Sequence, residues 1–235
     1  MTNIEYANVL AQELATAASP VSVLPITEDG RSWILYAPKW SSLDANEFDK
    51  LWGTRPADRP QGLIAGAITT FPRYTQAFGR DYAFSGQVAK AVPFANAPDK
   101  LQEVVRRLQG SALLREHNSA LVNYYAAEEG DYIGPHSDDE RGLCANQPIV
   151  SLTWCTAQHV RRFRLTPRKS TKDAITPPAC RDARLNGVVV NLGNGDLVVM
   201  GGECQRTHKH EIMKPGRCLA EKVGKRINIT FRLFV

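Results

Sequence analysis

From Asp99 the chain reads DKLQEVVRRLQGSALLREHN, in which Leu101, Val104, Val105 and Leu108 recur at helical spacing. With an acid near its start and Gly110 as a break, this pattern predicts an amphipathic helix. Beyond it the period changes. The short runs ALVNYY, PIVSLTWC, GVVVNL, GDLVVM and RINITFRLFV, separated by Gly, Asn, Asp and Pro clusters, predict successive strands. The last of them alternates strictly: Arg226, Asn228, Thr230 and Arg232 share one face, and Ile227, Ile229, Phe231 and Leu233 share the other. The front third is punctuated by glycine and proline, with RPADRPQG at 55–62 the clearest loop, which argues against a regular βαβ alternation. Strands at this density after a helix predict an α+β fold, an antiparallel sandwich or jelly roll with helices packed outside it.

At 235 residues and 43% hydrophobic, the chain can bury a full core in one large domain. No run of eighteen apolar residues occurs, and the opening MTNIEYANVLAQELATAAS lacks the basic start and apolar stretch of a signal peptide. The expectation is a soluble intracellular protein of cytoplasm or nucleus, a monomer with no membrane partner. Five cysteines, Cys144, Cys155, Cys180, Cys204 and Cys218, are scattered without CxxC spacing and read as reduced thiols. The net charge of +5 is mild, but His159 to Leu185 holds eight Lys or Arg against two Asp. Its Pro, Ser and Thr content reads as a basic loop, suited to a phosphate-bearing partner.

The candidate chemistry lies in two places. In the final strand the arginines either face solvent from an edge or face inward, where buried guanidinium groups require anions. No matching acids lie in that strand, and a bound carboxylate would suit the planar fork of arginine. In GDYIGPHSDDERG, residues 130–142, His136 and Asp138 are two apart and leave the same face of an extended segment. A third ligand, His208 or His210 in CQRTHKHEIMK, would complete the two-histidine, one-carboxylate set of non-haem Fe(II) oxygenases. An HxD pair alone equally describes a hydrogen bond on a surface loop. Together with the arginine face, it is what a 2-oxoglutarate-dependent oxygenase needs.

At this point the sequence resembles the AlkB family of Fe(II)/2-oxoglutarate dioxygenases, from about residue 62 onward and most closely its nucleic-acid repair members. The carrying motifs are FPRYTQAFGRDYAFSG (71–86), LVNYY (121–125), HSDDE (136–140), PIVSLTW (148–154), GDLVVMGGECQRTHKH (195–210) and RINITFR (226–232). The resemblance implies a double-stranded β-helix core, flanking helices and a nucleotide-recognition lid over about 62–98. Residues 1–61 would be an extension packed on or leading into the catalytic domain at 62–235. It implies iron ligands His136, Asp138 and His210, with His208 a neighbour. It further implies a 2-oxoglutarate site with Arg226 on the distal carboxylate, Arg232 with Asn228 nearer the chelating end, and Asn123 and Tyr125 completing the pocket. A flipped-out base would stack on Phe84 opposite His136, with Tyr82 and Glu140 at its edge, Asp139 bracing the site and Arg73 beside the flipped nucleotide.

The implied activity is oxidative demethylation of 1-methyladenine and 3-methylcytosine in DNA or RNA, using Fe(II), 2-oxoglutarate and O2 and releasing formaldehyde. Duplex-specialised relatives have an aromatic wedge where this chain has Ala65, which favours single-stranded substrates or tolerance of both. The added acids Glu128 and Glu129 would repel phosphate if they faced the groove. Competing readings are an oxygenase acting on RNA modification marks or on protein, and a catalytically silent nucleic-acid-binding module.

Overall fold

In the computed structural model every residue is described except 65, 85, 146, 157–159 and 217–222, and of Ile64 only the backbone. The chain opens with helix α1 (Asn3–Leu14), started by a capping box in which Thr2 accepts from the Glu5 amide and Glu5 accepts from the Thr2 amide. Ala7, Leu10, Ala11 and Leu14 make its buried stripe. A hairpin of β1 (Ser22–Pro25) and β2 (Ser32–Ala37) follows, then α2 (Ala45–Gly53) with its own capping box from Asp44 and Glu47. Next come β3 (Gln61–Ile64), β4 (Ala67–Thr70), β5 (Tyr74–Phe78), β6 (Tyr82–Phe84), β7 (Gln87–Ala89) and β8 (Ala91–Val92). Helix α3 (Asp99–Gln109) matches the predicted helix, buries Leu101, Val104, Val105 and Leu108, and has Gly110 as its C-cap. The rest is β9 (Ser119–Ala126), β10 (Ile133–His136), β11 (Ile149–Cys155), β12 (Arg161–Pro167), β13 (Val188–Leu192), β14 (Asp196–Gly202), the short α4 (Cys204–Thr207), β15 (His208–Ile212) and β16 (Lys225–Arg232).

An eight-stranded sheet runs β1-β2-β14-β11-β16-β9-β5-β8, and a four-stranded sheet runs β10-β15-β12-β13. Every named pairing is antiparallel except β5 with β8. Apolar residues of the large sheet, among them Ile34, Ile149, Val198 and Met200, pack against Phe163, Leu165, Val190 and Ile212 of the small one. The other face of the large sheet is covered by α1, α2 and α3, joined to it in one core that includes Trp33, Trp154, Ile227, Ile229 and Phe231. This is the jelly-roll core with flanking helices. Two hairpins, β3–β4 and β6–β7, form separate two-stranded sheets. No helix among the described residues is long and apolar enough to cross a membrane.

The last strand is central, between β11 and β9, and both of its faces are buried. Its isoleucines join the helix-covered core, so the arginine face points between the sheets rather than to solvent. The basic segment departs from expectation, since Arg161–Pro167 is a strand and not a loop. Arg161, Phe163 and Leu165 are buried while Arg162, Arg164 and Thr166 are only partly so, the period of a strand with one face on the core. Outside, Arg162 and Arg184 pair with Asp182, and Arg164 pairs with Glu211. Much of the local positive charge is thus answered within the fold. Residues 1–61, for which the sequence pattern predicts no elements, supply β2, bonded along Ser32–Ala37 to β14.

Candidate active site

Strand β10 lies at the edge of the small sheet and pairs with β15, where His136 stands directly across from His210. The two rings are 4.2 Å apart. Asp138 follows two residues beyond the strand end, and the ligand atoms of His136, Asp138 and His210 all lie within 4.8 Å of one another. Spacing alone allows either His208 or His210; the structure brings His210 into this cluster and bonds the His208 ring to Thr207 Oγ1 at 2.8 Å. Burial pushes His210 down to about 3 and lowers His136 as well, so both imidazoles are neutral near pH 7 with lone pairs to offer. The Nδ1–H of His136 donates to the Gly134 carbonyl at 2.9 Å, which leaves Nε2 as its ligating atom. Burial alone would raise Asp138, but the Arg232 guanidinium, donating at 3.0 Å, holds it below the usual carboxylate range. Its Oδ2 is buried without a partner. Two neutral imidazoles and an ionised carboxylate with an open oxygen fit a divalent iron with free coordination positions.

Residues that the sequence does not reveal hold this turn in place. The Asp138 amide donates to Gln205 Oε1 at 3.0 Å, and Ser137 Oγ donates to the His208 carbonyl at 2.9 Å. Arg168 donates to Ser137 Oγ, also at 2.9 Å. These bonds tie the segment carrying His136 and Asp138 to the segment carrying His210, which is the outer-shell support such ligands require.

Behind the triad a cavity of about 600 Å³ lies between the sheets, lined on one side by Asn123, Tyr125, Arg226, Asn228 and Arg232. Arg226 is 1% exposed, and its Nη2 donates to Thr153 Oγ1 at 2.8 Å and Asn228 Oδ1 at 2.6 Å. Its Nε and Nη1 are buried without partners, and no ion pair among the described residues reaches it. Burial pushes its pKa down to about 10. A guanidinium in that state needs a bound anion, and the orphaned donors of Arg226 at one end of β16 and Arg232 at the other fit a dicarboxylate. Asn228 bonds to Arg226 and, through Nδ2, to Thr230 at 2.9 Å, so it sits with Arg226 rather than with Arg232. Asn123 accepts from Thr75 at 3.0 Å.

The mouth of the same cavity is aromatic and acidic. Phe84 lies 5.6 Å from Phe71 and 6.0 Å from Tyr82, ring centre to ring centre. The Tyr82 hydroxyl donates to Glu140, whose Oε2 is buried and unpartnered. Burial and then Asp138 raise Glu140 above its ordinary value. Arg73 lies 5.2 Å from the Phe71 ring and 5.7 Å from that of Phe84, and Asp139 is exposed at the rim. The residues that the motifs single out, His136, Asp138, Glu140, Tyr82, Phe84, Arg73 and Asp139, therefore line one cavity. Of the two added acids, Glu129 pairs with Arg59 at 2.5 Å while Glu128 is exposed. The wedge position Ala65 lies outside the described residues.

The model of the 2OG-Fe(II) oxygenase superfamily matches residues 55–232. The chain is 26% identical over 232 residues to the Mus musculus protein named DNA oxidative demethylase ALKBH2, covering 88% of this chain and 89% of that one. To the Arabidopsis thaliana protein of the same name it is 30% identical over 199 residues, covering 79% of this chain and 60% of the relative. The solved structure of OsALKBH1 covers 91% of this chain and 100% of its own, with a TM-score of 0.50 and 18% identity, a likeness of fold. Sequence match and ligand geometry agree, and the chain belongs to the 2OG-Fe(II) oxygenase superfamily and, within it, to the AlkB family, as an enzyme that works with Fe(II), 2-oxoglutarate and O2.

Proposed function

We propose that this oxygenase removes methyl groups from N-alkylated nucleobases, with 1-methyladenine and 3-methylcytosine as favoured substrates, in DNA or RNA strands that are single or locally opened. The observation that carries this reading is the pocket in which the Phe84 ring and the Tyr82–Glu140 pair stand over the same cavity as His136, Asp138 and His210. The names of the curated relatives, DNA oxidative demethylases, support it. When bound, iron and 2-oxoglutarate supply the oxidation of the methyl carbon by O2, giving succinate and carbon dioxide and releasing the methyl as formaldehyde.

The chain's own residues do the rest. His136, Asp138 and His210 hold the metal, Arg232 keeps Asp138 ionised, and Arg226 with Asn228 and Tyr125 receives the cosubstrate. Phe84 provides a stacking face for a base removed from its helix, as enzymes acting on base atoms require. Glu140, positioned by Tyr82, offers an acceptor to the base edge, and Arg73 beside Phe84 presents a cation to the adjoining backbone. In this reading residues 62–98, which include both small hairpins, form the lid over the base. Residues 1–61 are part of the catalytic unit, since β2 is paired inside the main sheet.

The test is mass spectrometry of oligonucleotides carrying either lesion, single-stranded and duplex, DNA and RNA, incubated with protein, Fe(II), 2-oxoglutarate and ascorbate. Loss of one methyl mass that requires 2-oxoglutarate supports the proposal, and intact lesions with continued succinate formation point to another substrate. Within that assay Phe84→Ala is expected to leave substrate-independent succinate formation within about twofold of wild type. Its demethylation should fall by about tenfold or more, because base–aromatic stacking contributes about 1–3 kcal/mol. Equal loss of both would make Phe84 a packing residue.

A further inference from the structure

The barrel interior holds a third buried guanidinium, besides those of Arg226 and Arg232, that neither the alternating arginine strand nor the family motifs point to. Arg161 opens β12 on its inner face and is 2% exposed. Its Nη2 donates to two backbone carbonyls, Asp131 at 2.8 Å and Met213 at 3.3 Å, and its Nη1 is buried without a partner. Asp131 is the nearest acid in this network, yet its carboxylate is turned to Arg59 at 2.9 Å and to the Ala126 amide at 2.9 Å. Its carbonyl accepts from Arg161, while its carboxylate acts on that guanidinium only through its charge and forms no ion pair with it.

The Arg161 guanidinium carbon lies 5.8 Å from the centre of the Tyr125 ring, and that of Arg226 lies 5.2 Å from the same ring. Two buried cations therefore flank one tyrosine, each with an unused Nη1 and neither in an ion pair among the described residues. Burying like charges together is costly unless an anion offsets them. Their place along the barrel says which anion. Phe163, two residues on from Arg161 along the same face, lies 5.8 Å from the His210 ring, and Arg232 at the opposite end of β16 from Arg226 bonds to Asp138. Arg161 thus shares the end of the cavity that is remote from the metal ligands.

We propose that Arg161 is a positioning residue for the far carboxylate of 2-oxoglutarate, acting behind Tyr125 to orient it and to add a second positive charge to the one on Arg226. The proposal rests on Arg226 being that carboxylate's direct partner. Family motifs place no residue of β12 in this role, and Arg161 is absent from the cavity lining, so its influence passes through Tyr125.

The experiment measures binding rather than turnover. Mn(II)-loaded protein, kept anaerobic, is titrated calorimetrically with 2-oxoglutarate and with 2-oxopentanoate, which keeps the keto acid and chain length but lacks the far carboxylate. Arg161→Gln retains an N–H donor for the Asp131 and Met213 carbonyls while removing the charge, and Arg161→Lys retains the charge. For Arg161→Gln the Kd for 2-oxoglutarate is expected to rise about tenfold or more, that for 2-oxopentanoate to stay within about twofold, and the lysine variant to recover most of the loss. Equal weakening of both ligands in the glutamine variant, or weakening of neither, overturns the proposal, as does a lysine variant no better than glutamine. Arg226→Gln is the control for the underlying reading: if it does not lose preference for 2-oxoglutarate over 2-oxopentanoate, the assignment of Arg226 fails and that of Arg161 falls with it. Should Arg161→Gln not fold, Arg161→Met is titrated in its place under the same criteria.

Discussion

Replacing Asp138 with alanine is expected to leave no detectable turnover and no tightly held metal. The substitution removes the one anionic member of the triad, and two neutral imidazoles alone make a weaker site for a hard divalent ion. It does a second kind of damage. Arg232 is 4% exposed, and Asp138 is the carboxylate it bonds to at 3.0 Å. Breaking a buried pair by removing one partner costs about 3–5 kcal/mol, because the remaining charge stays desolvated. The variant should therefore unfold at clearly lower denaturant as well as being inactive, whereas His210→Ala should lose metal with a smaller loss of stability. The sign of the pH dependence follows: a carboxylate held below its ordinary range stabilises the fold above its unfolded pKa, and that stability is lost as pH falls through the lowered value. In the metal-free protein this acid limb should be shallower in the alanine variant. Elemental analysis, succinate formation and urea unfolding check each part, and normal iron content in Asp138→Ala would refute the ligand assignment.

Trp33→Ala is the second large effect, and it falls far from the chemistry. Trp33 is 1% exposed in β2, directly across from Gly201 of β14, and its ring lies 6.2 Å from that of Tyr6 in α1. A Cβ added at Gly201 would stand 2.0 Å from the indole, so the glycine is the floor on which the tryptophan lies. The indole nitrogen is buried without a partner, and the loss on truncation is therefore one of packing. Truncations of this kind cost about 3–5 kcal/mol, a large part of a typical total of about 5–15 kcal/mol. Gly201→Ala should also destabilise, by overpacking of about 1–3 kcal/mol, since the added methyl has no space. Activity per folded molecule should be unchanged in both. A shift in urea midpoint equivalent to less than about 1 kcal/mol in Trp33→Ala would mean that the N-terminal strand contributes little to holding the main sheet.

Much of this architecture is legible in the chain itself. Helix α3 announces itself by spacing, and the strands β9, β11, β13, β14 and β16 by β-rich runs between turn residues. The capping boxes Thr2–Glu5 and Asp44–Glu47 are equally present, but glycine and proline in the same third of the chain mask them. β2 offers no alternation to find, because a strand buried on both faces carries apolar residues at nearly every position. β12 is hidden by its arginines, which suggest a loop until their alternate burial is seen. In the site, His136, Asp138, Arg226 and Arg232 can be grouped from period and charge alone. Arg168, Gln205 and Arg161 cannot, because their partners include backbone groups distant in sequence, and a sequence gives no sign of where those atoms point.

Among the described residues the hairpins β3–β4 and β6–β7 pair with neither main sheet, yet Tyr82 and Phe84 in the second of them line the cavity that holds His136, Asp138 and His210. Selection can therefore act on admission and oxidation separately. On the proposed function, an insertion, a deletion or a new side chain in a hairpin that pairs only with itself would alter which molecule is admitted and leave the ladder holding His136 against His210 intact. Such an arrangement lets a lineage acquire a new substrate by small steps, each of which keeps a working oxidant behind the door.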